Sequence, residues 1–295
     1  MTTSRFPGSL VTASGKGGVG KTTVISNLAA IAARNGDDVV LVDLDPQANL
    51  ANEFDITDHD GGKSLLAAGM EVIERPVLHS TGRERLSYVA GGDSTSELFE
   101  YALVSGKGDA TKMAQMVHRA LLPIYEERRC RFFFDTPPSA GTSPADAALM
   151  LGEWLVIPSR TDRNSLDGVA AMLRRILANA PDQNDLIRVA GIVLFEINPA
   201  ATVMNADTRA ELSDDIDGAF RIFDSMIRHA DKAQRQAKEV GMVAAEYASL
   251  AKSAEPWFEA VKRGETPVTF AGNADSLAGD YERLAAELHD LMVSA

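Results

Sequence analysis

The stretch "ASGKGGVGKTT", residues 13–23, decides the fold. It sets Gly15, Gly20, Lys21 and Thr22 in the pattern of glycine, four residues, glycine, lysine, then serine or threonine, which is the full signature of a phosphate-cradling loop. Such a loop needs a buried strand before it and a helix after it. "SLVTAS" (9–14) is short and β-branched, and "TTVISNLAAIAARN" (22–35) places Val24, Leu28, Ile31 and Ala32 on one helical face. Backbone N–H groups of Gly17, Gly18, Val19 and Gly20, with Thr23 beyond them, then surround an anion at the positive end of a helix. Lys21 reaches its terminal phosphates, and the Thr22 hydroxyl offers itself to magnesium. Lys16, the other lysine of the loop, is surplus to that task.

Outward from the loop, Gly36 ends the helical pattern and "VVLVDLD" (39–45) reads as a second buried strand. A polar loop and a stretch without clear period lead to a strand in "RLSYVAGG" (85–92). "STSELFEYALVSG" (94–106) opens with Ser94 and Glu97 in capping-box spacing, and "ATKMAQMVHRALLPIYEE" (110–127) is an amphipathic helix. "RFFFDTPPS" (131–139) is the next strand, followed by a helix in "SPADAALMLG" (143–152). "EWLVIPSR" (153–160) is another strand, "NSLDGVAAMLRRILAN" (164–179) a helix begun by Asn164, and "RVAGIVLFEI" (188–197) a further strand. This alternation implies an α/β fold of the P-loop NTPase kind, a mostly parallel twisted sheet with helices on both faces. No linker divides the chain, so one domain is expected over residues 1–295, and ligands should collect at the carboxyl ends of the strands.

The 295 residues are 45% hydrophobic and 24% charged, which permits a sizeable core. A formal net charge of -13 argues against a surface that coats nucleic acid, so any DNA contact must be local. The single cysteine, Cys130, excludes an intrachain disulfide and any multi-cysteine metal site built from one chain, and points to a reducing cytoplasm. "MTTSRFPGSL" has no apolar run suited to a signal peptide.

Three acids follow apolar runs at strand ends: Asp43, Asp45 and Asp135. Asp135 in "FFFDTPP" suits the magnesium shell, and Asp45 is placed to orient a water attacking the γ-phosphate. Each of the three can instead cap a turn at a strand exit.

"KGGVGKTT" (16–23), "VVLVDLDPQANL" (39–50) and "FFFDTPPS" (132–139) together resemble the deviant Walker A, Walker A′ and Walker B segments of the ParA-type ATPases, within the ParA/MinD superfamily. The segments stand in that family's order and spacing, and the resemblance runs from residue 9 to about 250. It implies an ATP hydrolase using ATP and Mg2+, slow alone and stimulated by a partner, that closes an ATP-sandwich homodimer. Lys16 would reach the partner subunit's nucleotide, Asp45 would support hydrolysis, and Asp135 would support magnesium. Asn198, ending "GIVLFEIN" (191–198), is the candidate for the adenine edge. A second cation is physically sensible, because a triphosphate carries about four negative charges and charge grows at the bridging oxygen during transfer.

The pair of "DLDPQANL" and "DTPPS" is closer to the partition ATPases than to the MinD branch. MinD-like chains end in a basic amphipathic helix that lies on lipid. This chain ends "DSLAGDYERLAAELHDLMVSA" (275–295), where Asp275, Asp280, Glu282, Glu287 and Asp290 outweigh Arg283. Leu277, Tyr281, Leu284, Leu288 and Leu291 form an apolar stripe suited to packing on the domain, so no membrane contact is expected there. Iron–sulfur relatives need at least two cysteines per chain and are excluded.

Partition ATPases bind DNA non-specifically through basic residues of the carboxyl-terminal half. In "MIRHADKAQRQAKEV" (226–240), Arg228, Lys232, Arg235 and Lys238 fall at helical spacings that put four cations on one face, with Arg209 and Arg221 nearby in sequence. An ordinary solvated helix face reads the same way. The resemblance thus implies a cytoplasmic, nucleoid-associated protein that partitions a plasmid, chromosome region or protein cargo with a ParB-like centromere-binding or cargo-adaptor partner. The alternatives are a MinD-like membrane-associated ATPase and a nucleotide-gated scaffold that leaves DNA alone. Two departures stand out. No long amino-terminal helix-turn-helix extension is expected, and "AKSAEPWFEAVKRGETPVTFAG" (251–272) is an extra segment whose Trp257, Phe258 and Phe270 either pack on the domain or face a partner.

Overall fold

The computed structural model describes residues 5–106, 110–138, 144–178, 187–216, 218–255, 259, 262–264, 266 and 269–294. Among the described residues eight strands form one sheet: β1 (Leu10–Thr12), β2 (Val39–Asp43), β3 (His79–Arg83), β4 (Leu86–Val89), β5 (Arg131–Asp135), β6 (Trp154–Ser159), β7 (Arg188–Ile197) and β8 (Ile227–Arg228). Their order across the sheet is β3-β4-β2-β5-β1-β6-β7-β8, and only the β3–β4 pair is antiparallel. The helices are α1 (Lys21–Arg34), α2 (Asn49–Glu53), α3 (Lys63–Gly69), α4 (Asp93–Ser105), α5 (Thr111–Arg128), α6 (Pro144–Leu151), α7 (Arg163–Ala178), α8 (Thr202–Asp215), α9 (Asp231–Glu239), α10 (Ala244–Ser253) and α11 (Ala274–Ser294). This is the single-domain, mostly parallel α/β architecture expected from the alternation of elements.

The central strands are apolar on both faces because both faces are covered. Val39 and Leu41 of β2, with Phe133 of β5, pack toward α1, α9, α10 and α11. Val40 and Val42, with Phe132 and Phe134, pack toward α3 to α7. The acidic last helix lays Leu277, Tyr281, Leu284 and Leu288 into the first of these cores, with Leu291 packed at its edge. Phe270 sits against Tyr247 with ring centroids 5.9 Å apart, whereas Trp257 and Phe258 lie outside the described residues.

Parallel register brings three strand exits to one level. Thr12 pairs with Asp135 across β1 and β5, and Asp43 pairs with the same Asp135 across β2 and β5. The chemistry expected of residues 12–22, 43–45 and 135 therefore converges at one edge of the molecule, where parallel sheets present their strand ends.

Three local expectations are corrected. Ser94 does not cap α4: the cap position is Gly92, at φ 139°, and Ser94 is buried inside the first turn. Asn164 does not begin α7, because Asp162 does so by accepting the Ser165 N–H at 3.1 Å and its hydroxyl at 2.6 Å. A charged carboxylate is the stronger acceptor for a helix start, so it prevails over the nearby amide. Within the stretch left without a clear period, the structure adds α2, α3 and β3, elements too short to show one. Arg228 is not on a helix with Lys232, Arg235 and Lys238. It lies in β8, because Ile227 and Arg228 extend the sheet alongside β7.

Candidate functional site

The loop between β1 and α1 turns back on itself through two left-handed glycines, Gly18 at φ 72° and Gly20 at φ 91°. Gly20 is doubly constrained, since a Cβ there would stand 2.5 Å from the Phe195 ring. Gly17 lies beside Pro138, and Val19 is buried, which anchors the loop while its N–H groups stay at the helix start. Gly15 must also be glycine, because a Cβ would lie 2.7 Å from the Gly168 carbonyl of α7.

Lys21 is 7% exposed, and its ammonium lies 3.5 Å from the Lys16 carbonyl, folded over the loop. Burial lowers its pKa, opposed by the charges of Asp135 and Asp45. The Thr22 hydroxyl donates to Asp135 at 2.7 Å, joining the first residues of α1 to the end of β5. Asp135 also accepts the Thr136 N–H at 3.1 Å, and burial pushes its pKa up to about 7 despite the Thr22 hydroxyl and Lys21, which pull it down. Asp45 accepts the Gln47 N–H at 3.0 Å, an Asx turn that leaves its carboxylate at the strand exit. The Thr23 hydroxyl donates to Glu53 at 3.4 Å.

Two buried carboxyl groups, Asp45 and Asp135, thus act on one buried ammonium, Lys21, and a third, Asp43, is buried beside Asp135. Buried charge without a counter-charge is costly, so this donor set fits an added cation. The hydroxyl–carboxylate pair of Thr22 and Asp135 is all-oxygen and suits magnesium with its retained waters.

Lys16 lies at the rim with its side chain 41% exposed; its ammonium donates to Asp162 at 2.8 Å and to Ser165 at 3.3 Å. That pair, then the Ser165 hydroxyl, pulls the Asp162 carboxyl down to about 2. The sequence carried no signal for Asp162 beyond its place after β6. Asn198 is exposed at the exit of β7, where its carboxamide oxygen accepts the Ala200 N–H at 3.0 Å and its carbonyl accepts the Asn205 amide at 2.9 Å.

Lys232, Arg235 and Lys238 lie together on α9, whereas Arg228 lies in β8 and Arg209 in α8. Arg209 pairs with Asp224 at 3.0 Å, Arg221 with Glu287 at 3.0 Å and Lys238 with Glu53 at 3.2 Å. Arg228 grips Asp280 through two hydrogen bonds of 2.6 and 2.9 Å. Lys232 is exposed, and Arg235, with its side chain 72% exposed, has a long 3.8 Å contact to Glu239.

A family model described as an AAA domain matches residues 9–189, more than half of the chain, a span that holds Lys16, Lys21, Thr22, Asp45, Asp135 and Asp162. Soj, a chromosome-partitioning ATPase of Thermus thermophilus, is 31% identical over 197 residues, 67% of this chain and 72% of Soj. The chain belongs to the ParA/MinD-type P-loop ATPases. Solved structures agree on the fold of this ParA/MinD-type chain. Apo McdA of Cyanothece matches at a TM-score of 0.72 and 20% identity, over 95% of this chain and 98% of McdA. MinD of Pyrococcus horikoshii, complexed with Mg-ADP, matches at 0.64 and 18% identity, over 96% of each chain. Among the described residues, no helix is long and apolar enough to cross a membrane.

Proposed function

We propose that this chain is a magnesium-dependent ATPase that closes an ATP sandwich between two copies of itself and uses that cycle to position a DNA region or protein cargo. One observation carries the reading: Lys21, Thr22, Asp45 and Asp135 converge, with the Thr22 hydroxyl 2.7 Å from a fully buried Asp135. The similarity to Soj, named for chromosome partitioning, supports the positioning role.

In this reaction water attacks the γ-phosphorus, the bond to the bridging oxygen breaks, and ADP and inorganic phosphate leave. Asp45 orients the water, and Lys21 follows the charge that grows on the bridging oxygen. Thr22 and Asp135 would hold the magnesium, which would supply positive charge against that of the phosphates. Lys16 leaves Asp162 for the nucleotide of the second copy. An ion pair this exposed contributes at most about 1 kcal/mol, so the exchange is easily driven. A ParB-like centromere-binding or cargo-adaptor partner accelerates hydrolysis by completing or tightening this arrangement.

The test is light scattering with ATP, ADP and no nucleotide, beside phosphate release with and without magnesium. The reading expects a dimer with ATP alone and release that requires magnesium. A monomer under every condition would remove the sandwich.

A second reading is a nucleotide-gated scaffold that recruits cargo without touching DNA. It is favoured by the ion pairs that already engage Arg209, Arg221, Arg228 and Lys238 within the chain. A DNA mobility shift at low salt separates the two: retardation with ATP alone supports the DNA carrier, and none with any nucleotide supports the scaffold.

A further inference from the structure

We infer that Tyr88 and Asp43 form a buried strut that positions Asp45 for hydrolysis, an assignment that rests on the hydrolase reading above. Asp43 is the last residue of β2 and is fully buried. Its Oδ1 accepts the backbone N–H of Asp45 at 2.9 Å, which fixes the first bend of the turn that presents the Asp45 carboxylate. Its Oδ2 accepts the Tyr88 hydroxyl at 3.3 Å, and that hydroxyl oxygen in turn accepts the Gly91 N–H at 3.4 Å. Both side chains therefore have every turn-facing polar atom engaged.

The sheet explains why the phenol arrives there. Tyr88 is the register partner of Leu41 in the parallel β2–β4 pair, and Asp43 is two residues beyond Leu41 on the same face. A side chain of tyrosine length leaning along β4 spans that diagonal step. Gly91 closes the other side: a Cβ there would stand 2.8 Å from the Asp43 carboxyl carbon, so only glycine lets the carboxyl keep its rotamer. The His59 and His79 rings flank the phenol at centroid distances of 6.4 and 6.2 Å and hold it sideways.

Asp43 is the register partner of Asp135, and two buried carboxyl groups at adjacent strand ends disfavour each other's charge. Burial first, then Asp135, raises the Asp43 pKa. Burial and the Asp43 carboxyl raise that of Tyr88 as well, so the phenol remains a hydrogen-bond donor at every working pH. Without that donor, the Asp43 carboxyl loses the contact that fixes its rotamer, and the Asp45 N–H loses a well-placed acceptor. Neither Tyr88 nor Asp43 touches the reacting atoms in this account; both act through Asp45.

The test compares Tyr88→Phe, Asp43→Asn, Asp43→Ala and wild type by two readouts. Tyr88→Phe and Asp43→Ala should lower ATP turnover about tenfold or more, the scale set by small misplacements of a reacting group, with ATP affinity within about twofold of wild type. Asp43→Asn should recover most of the turnover, since its amide oxygen still accepts the Asp45 N–H while its NH2 faces the phenol oxygen. Hydrogen exchange at the Asp45 amide should quicken about fivefold in Tyr88→Phe and Asp43→Ala and stay slow in Asp43→Asn. Wild-type turnover and exchange in Tyr88→Phe would overturn the strut. So would equal loss in Asp43→Asn and Asp43→Ala, or loss of nucleotide affinity together with turnover. If wild type itself releases no phosphate, the hydrolase reading fails, while the exchange measurement still decides the strut.

Discussion

Two charged regions of this molecule are built on opposite principles. Around the strand ends of β1, β2 and β5, Asp43, Asp45 and Asp135 are buried with only Lys21 to offset them. Along the β8 edge, Asp280 is just as buried but is clasped by Arg228 and by Arg283, while Glu287 accepts the backbone N–H groups of Asp224 and Ser225 and pairs with Arg221. In the first region burial holds Asp43 and Asp135 toward their protonated forms, so a cation bound there would favour their charged forms; the second is balanced by its own chain. Buried charge left uncompensated marks a place where something binds, and buried charge compensated in place marks architecture.

The comparison breaks most visibly if its first half is attacked. Lys21→Ala removes the only buried cation among the described residues and leaves three carboxyl groups unopposed. Phosphate release should fall by about three orders of magnitude, with nucleotide affinity lost as well, as read by titration with a fluorescent ATP analogue. Near-normal binding would mean that the deficit around Lys21 is not the nucleotide site. In the second half, Asp280→Ala strands Arg228 and Arg283 and should cost about 2 kcal/mol of stability in urea melts, discounted for the quarter of Arg228 that meets solvent. ATP affinity should not move. An unchanged melt would show that the clasp is incidental and that Arg228 is available to a ligand.

The same contrast explains what could be read from the sequence. The loop, Asp45 and Asp135 are legible because their geometry follows from local chain: a glycine pattern between strand and helix, and an acid directly after an apolar run. The alternation of strands and helices likewise marks the sheet as mostly parallel. Tyr88 and Asp162 carry no such mark, since their importance arises from register across β2 and β4 and from the approach of α7 to the Lys16 loop. Arg228 misleads for the same reason. Its spacing from Lys232 looks helical, yet pairing with β7 and the Asp280 carboxylate, 52 residues away in sequence, decides its place. Short elements such as α2 and β3 are set by packing, which no period records.

A gentler probe is pH. The folded-state pKa of Asp135 is about 7 against an ordinary 3.8, so the folded chain binds this proton more tightly than the unfolded chain does. The resulting stabilisation is complete below the unfolded value and is lost as pH rises through about 7. Nucleotide-free protein should therefore melt at higher temperature as pH is lowered from about 8 to about 6, and Asp135→Asn should flatten that dependence. Magnesium with ATP should flatten it too, by favouring the charged carboxylate. If Asp135→Asn keeps the full slope, the titrating group lies elsewhere and the deficit at the strand ends is smaller than the burial suggests.

The smallest effect separates the two kinds of cation within the basic stretch. Lys232 and Arg235 project from α9 into solvent, whereas Arg228 is held against Asp280. If the chain associates with DNA, each contacting cation releases counterions and steepens the dependence of log affinity on log salt by about one. Arg235→Ala should then reduce that slope by about one and weaken ATP-dependent DNA binding a few-fold, with no change in melting. Arg228→Ala should do the reverse, lowering the melting temperature while leaving the slope intact, because a cation already neutralised within the chain has no counterion to release. Loss of slope in Arg228→Ala would mean that the clasp with Asp280 opens to let DNA in, and the line between binding charge and structural charge would then run through α9 and β8 together.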